Sequence, residues 1–179
     1  MVFSSTSPQI VRRAALAFLL PLSLLMTACG AGPVHLEPAP DATNPECAKA
    51  LVAMPEELGG LAQRETTAQA TTAWGDPASI ILKCGVEVPG PVSDPCASVN
   101  GVDWIIKPSE EKDGSTSSTQ TATGTWTATT FGRSPNVQVT FDADKVSSST
   151  LLVELGSPVA QLKQTEKCSN IDDSLSTQG

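Results

Sequence analysis

Apolar and polar residues alternate most regularly between Ala78 and Val88. Ile80, Leu82, Cys84, Val86 and Val88 fall on one side, and Lys83 and Glu87 on the other. A period of two predicts a half-buried strand with Cys84 facing the core. The same period recurs from about Val99 to Lys107, with Val102, Trp104 and Ile106 inward. In Gly124–Phe131, threonines alternate with Trp126, Ala128 and Thr130; in Asn136–Phe141, Val137, Val139 and Phe141 share a side. Gly132-Arg133-Ser134-Pro135 between these two runs predicts a turn and an antiparallel hairpin.

Helical spacing begins where Asn44 can cap, Pro45 suits the first helical position and Glu46 favours the positive end of the dipole. Cys47, Leu51 and Met54 then form one face, and Pro55 and Gly59-Gly60 end it. A second helix is predicted from near Ser147, presenting Leu151, Leu152 and Leu155. It is expected to break at Gly156-Ser157-Pro158, with Val159 and Leu162 continuing the apolar face. Residues 61–73 have no firm period and read as extended or irregular, and Trp74-Gly75-Asp76-Pro77 reads as a turn. Pro89-Gly90-Pro91 and Asp94-Pro95 mark a stiff loop leading to Cys96, and 108–123 a polar surface loop or hairpin tip. Together these predict an α+β domain: a small antiparallel sheet of about four strands, with two helices packed on one side and disulfide staples.

The N-terminus has a different organisation. Arg12-Arg13, the apolar run Ala14–Met26, then Thr27-Ala28 and Cys29 follow the order of a secretory leader. The run is interrupted by Pro21 and is shorter than the ~20 residues that span a bilayer. A cysteine at the expected cleavage point looks like a bacterial lipobox, so 1–28 is read as a lipoprotein signal peptide and Cys29 as the lipidated residue. Residues 29–44, rich in proline, are read as a tether reaching on the order of 40 Å. One domain is expected over 45–168, and 169–179 as a disordered tail.

Composition narrows the chemistry. The chain carries 11 Lys plus Arg against 19 Asp plus Glu, a net charge of −8. Such a domain has no means of neutralising phosphates, which argues against nucleic acid as a partner. With no Tyr and few Phe, the core must be mostly small aliphatic residues, which in a short chain invites covalent bracing. Setting Cys29 aside leaves Cys47, Cys84, Cys96 and Cys168, an even set that reads as structural disulfides outside the cytoplasm. Cys47 and Cys84 both face inward from elements that should pack together. That favours Cys47 with Cys84 and Cys96 with Cys168, while Cys84–Cys96 with Cys47–Cys168 stays open.

Several of these segments carry a resemblance: Asp41-Ala42 with Pro45 and Cys47, Trp74-Gly75-Asp76-Pro77, Ile81-Leu82-Lys83-Cys84-Gly85-Val86, Gly101-Val102-Asp103-Trp104 and Gly132-Arg133. The chain resembles an uncharacterised actinobacterial lipoprotein family, domain of unknown function 3515, from about Asp41 to Cys168. Lys83 stands where arginine is usual there, and residues 113–123 form a Ser/Thr-rich insert. The resemblance implies an exported, membrane-attached small domain and brings no established activity.

Candidate chemistry is sparse. A Ser-His-acid hydrolase needs a fixed imidazole, and the one histidine, His35, lies in the expected tether. No set of residues has zinc or calcium spacing, so no metal or cofactor is expected. A glycosidase-type carboxylate pair would have to use Asp76 and Asp103, each beside a tryptophan able to meet a sugar ring. Arg133 could grip an anion or close a turn on nearby carbonyls. Trp74, Trp104 and Trp126 are expected in the core or at its rim, and a surface pair would instead mark a binding patch. The expectation is a lipid-anchored protein on the outer face of the cell membrane that binds an envelope protein or small ligand without catalysis. The alternatives are a cell-wall-modifying hydrolase and an envelope assembly factor.

Overall fold

The computed structural model describes residues 32–87, 96–109 and 124–168. The leader 1–28, Cys29, the stiff loop at 89–95, the Ser/Thr-rich insert and the tail 169–179 lie outside the described residues. The first helix, α1 (Pro45–Val52), starts as its sequence dictates: the Asn44 side chain accepts the Glu46 N–H at 3.0 Å. Strands β1 (Glu57–Leu58), β2 (Leu61–Arg64), β3 (Thr71–Trp74) and β4 (Ile80–Val86) follow, then β5 (Cys96–Val99) and β6 (Val102–Pro108). After these come β7 (Thr125–Thr130), β8 (Arg133–Ser134), β9 (Asn136–Asp142), α2 (Ser148–Ala160) and β10 (Lys163–Gln164).

Sheet dominates. Eight strands form one antiparallel sheet in the order β1-β2-β3-β4-β9-β7-β6-β5, and β10 pairs with β8 in a second, two-stranded one. The expectation of an α+β domain with a sheet of about four strands is therefore corrected. The additional strands have identifiable causes. All four residues of β3 are buried, so its two faces give no alternation to read. β2 and β1 are too short to show a period. Asn100-Gly101, inside what read as the start of a strand, turns the chain between β5 and β6, with φ of 50° and 76°. Two consecutive positive φ values are what a tight hairpin needs, and Asn-Gly is the pair that supplies them.

α2 also departs from expectation by running unbroken through Gly156-Ser157-Pro158. Pro158 forgoes one N–H bond, but it sits two residues before the helix ends at Ala160, so little of the helix lies beyond it. Gly156 has a packing reason: a Cβ there would press on the Asn100 side chain, whose Nδ2 donates to the Val153 carbonyl at 3.2 Å.

Register fixes the core. Ile80, Leu82 and Cys84 stand opposite Phe141, Val139 and Val137, and Ala128 and Trp104 continue the same face through β7 and β6. Leu151, Leu152, Leu155 and Val159 of α2, with Cys47 and Ala50 of α1, complete this one cluster.

Candidate functional site

Both ends of the described chain are tied down, and the residues singled out from the sequence are mostly the ties. At the C-terminal end, Arg133 of β8 is only 5% exposed. Its guanidinium donates to the carbonyls of Leu162 at 2.6 Å, Gly101 at 2.9 Å and Ala160 at 3.4 Å. It thereby satisfies carbonyls at and beyond the C-terminal end of α2, where no further helical turn can do so. Burial pulls its pKa below the ordinary arginine value, and the Asp103 charge opposes that shift. The Arg133 Nε makes no hydrogen bond.

Asp103 is the second half of this clasp. Its carboxylate accepts the Cys168 N–H at 2.9 Å, the Gln164 amide at 3.4 Å and the Ser98 hydroxyl. Gly132 completes it, because a Cβ there would collide with the Glu166 backbone. The disulfide Cys96–Cys168 locks the same segment, with a Cα–Cα distance of 5.9 Å. Cys96 stands opposite Ile105, one register step from the Ala97–Trp104 pair, so this bridge sits on the sheet face away from the core.

Residues 32–44 form a strap at the N-terminal end. Val34 bridges Thr66 in parallel, donating to the Glu65 carbonyl at 2.8 Å and accepting from the Thr67 N–H at 3.0 Å. Leu36 N–H reaches the Thr67 hydroxyl at 3.2 Å, and Asp41 N–H the Gly85 carbonyl at 3.0 Å. Gly85 is glycine for a reason: its φ is 88°, and a Cβ would overlap the Asp41 backbone. The disulfide Cys47–Cys84 then pins α1 to β4 from the core side, Cα–Cα 5.7 Å. The described part of the segment read as a free tether therefore lies along the domain, and His35 within it is exposed.

Arg64 joins strap to sheet and was not singled out by any pattern. Its Nη2 donates to the Gly32 carbonyl at 2.7 Å, while Nη1 meets the Gly75 carbonyl at 3.0 Å and the Asp76 carboxylate at 3.0 Å. Beside it, Leu51, Gln63, Arg64, Glu65, Thr66, Thr71 and Thr72 line a cleft of about 310 Å³. Nothing local in the sequence marks these residues, since α1 and two strands must assemble before the cleft exists.

The other candidates fall into structural places. Trp74 and Trp104 are fully buried, and Trp74 Nε1 donates to the Pro55 carbonyl at 3.0 Å. Trp104 Nε1 has no partner, and Trp126 packs against the core from its margin. Asp76 has a side chain 69% exposed, whereas Asp103 is buried. Four strand spacings separate β3 from β6, about 19 Å. Carboxylate pairs that cleave glycosides stand about 5–10 Å apart. Asp76 and Asp103 are not brought together. Among the described residues no group of three or more His, Cys, Asp or Glu is placed to hold a metal ion, and no helix is long and apolar enough to cross a membrane.

Fold and ties together define a disulfide-braced domain built on one eight-stranded sheet, with both ends of the described segment clasped and a small open cleft beside β2. The chain belongs to the family described as protein of unknown function (DUF3515), whose model matches residues 13–168. No curated protein and no solved structure matches it.

Proposed function

We propose that this chain is a lipid-anchored envelope protein on the outer face of the membrane, which binds a partner or small ligand and catalyses nothing. One observation carries the reading: four of the five cysteines are consumed in two disulfides, and the fifth is Cys29. Disulfides of this kind form and persist in oxidising compartments. A leader of the secretory type would deliver the chain to one, and it ends at the cysteine that remains. The cleft beside Arg64 is the binding surface we assign, because Asp103, Arg133, Trp74 and Trp104 are spent on internal contacts.

Cys29→Ala tests the anchor. The native chain isolated from cells should have an acylated Cys29 as its first residue and partition with membranes, and the variant should lose both properties. An unmodified Cys29 sulfur in the native product, or membrane partition of a mature-sized variant, would overturn the proposal. Binding is tested by photo-crosslinking from Thr72 in intact cells: a discrete adduct supports the cleft, and none refutes that assignment.

A further inference from the structure

If the lipid sits on Cys29, the position of the strap decides which way the domain faces. We propose that the side of the sheet where β1, β2 and the strap lie, with the cleft beside it, is apposed to the bilayer surface; this rests on the anchored reading above. The argument is one of reach. Gly32 is the first described residue and is held by Arg64, which is itself held by Asp76 and the Gly75 carbonyl. Val34 is bonded in both directions two residues later. Three chain steps separate Cys29 from Gly32, roughly 11 Å at full extension. A free tether from 29 to 44 would reach roughly 50 Å. The folded body has a radius of gyration of roughly 15 Å. An 11 Å leash on a body of that size keeps the attachment edge down.

The opposite edge is equally defined. β5 lies six strand spacings from β2, about 29 Å across the sheet. Attraction does not hold the near edge in place. Glu37 and Glu65 are exposed there, and an acidic chain is repelled by anionic head groups. Shortness of the link does the holding, so the contact is superficial, and lengthening the link should abolish it. A cleft ligand would then be met at head-group level.

The test uses the full-length chain in native membranes, with a benzophenone side chain introduced at Glu65 or at Ala97, both exposed. Illumination should give several-fold more lipid adduct from Glu65 than from Ala97. Inserting a flexible Gly/Ser linker between Gly30 and Ala31 should bring the two yields together. Equal yields without the linker, a higher yield at Ala97, or a Glu65 yield unchanged by the linker would each overturn the orientation. Intact mass of the same samples reports acylation of Cys29 separately, so loss of the anchor is distinguishable from a wrong face.

Discussion

Replacing Arg133 with methionine removes the centre of the C-terminal clasp while keeping a side chain of similar reach. Two short charge-assisted bonds, to Leu162 and Gly101, and a longer one to Ala160 disappear. Hydrogen bonds to charged groups are worth about 1.5–3 kcal/mol each, and breaking a buried ionic network costs about 3–5 kcal/mol. The desolvation that lowers the Arg133 pKa is relieved in the variant, which trims the loss toward the lower end. We expect about 3 kcal/mol, a large part of the 5–15 kcal/mol typical of a domain. With a urea m-value near 2 kcal/mol/M, the midpoint should fall by about 1.5 M with the slope unchanged. Tryptophan fluorescence with both disulfides oxidised is the assay. Arg133→Lys should recover only part of the loss, because one ammonium cannot span three carbonyls. Asp103→Asn combined with Arg133→Met should cost less than the sum of the single changes, since the two charges support each other. A loss under about 1 kcal/mol for Arg133→Met, with simple additivity, would show that water replaces the guanidinium and refute the clasp.

The strap and the bridges give two further tests. Gly85→Ala should release the strap as well as strain the backbone, whereas Gly101→Ala, with open space around it, should cost only about 1 kcal/mol of left-handed strain. Hydrogen exchange at Asp41, whose N–H is bonded to Gly85, should speed up in the first variant alone; equal protection in both would contradict the close-approach argument. Removing Cys47–Cys84 or Cys96–Cys168 as alanine pairs should cost roughly 4 kcal/mol in each case, from loops of 37 and 72 residues. Only the second removal should quicken tryptic cleavage after Lys163 and Lys167, and equal cleavage rates would argue against a clasp there.

The legible parts of this fold were those where one face is buried and the other wet. β4 and β9 show the period of two most clearly, with Lys83 and Gln138 separating their buried positions, whereas β6 and β7 alternate in residue type although four consecutive residues of each are buried. The inward facing of Cys47 and Cys84 favours the pairing the structure shows, Cys47–Cys84 with Cys96–Cys168, but does not by itself exclude Cys84–Cys96 with Cys47–Cys168. β3 was hidden by burial on both sides, and β1 and β2 by brevity. The β5–β6 hairpin has a local signal, the turn pair Asn100-Gly101, which sits directly before the apolar run of β6 and so resembles the start of that strand. The packed strap was out of reach of sequence, because proline-rich extended chain looks the same free or docked, and docking depends on Thr66, Thr67 and Gly85 arriving from elsewhere.

That blindness bears on how motifs are interpreted. Trp-Gly-Asp-Pro, Cys-Gly-Val, Gly-Val-Asp-Trp and Gly-Arg have the composition of an active site: acids beside tryptophans, an arginine after a glycine. In the folded chain Gly85 admits the Asp41 backbone, Asp103 takes the Cys168 N–H, Gly132 admits Glu166 and Arg133 closes α2. Polar groups used this way must be buried and bonded, so they are as unreplaceable as catalytic ones. What separates the two roles is the fate of the lone pairs and protons: those of Asp103 and Arg133 are turned inward, mostly on the backbone, and the exposed Asp76 is paired with Arg64. The residues lining the Arg64 cleft lie outside all of these motifs, which is why we assign the proposed binding surface there. The motifs thus specify how the two ends of the described segment are fastened, and the proposed binding surface is tested at the edge where the strap lies.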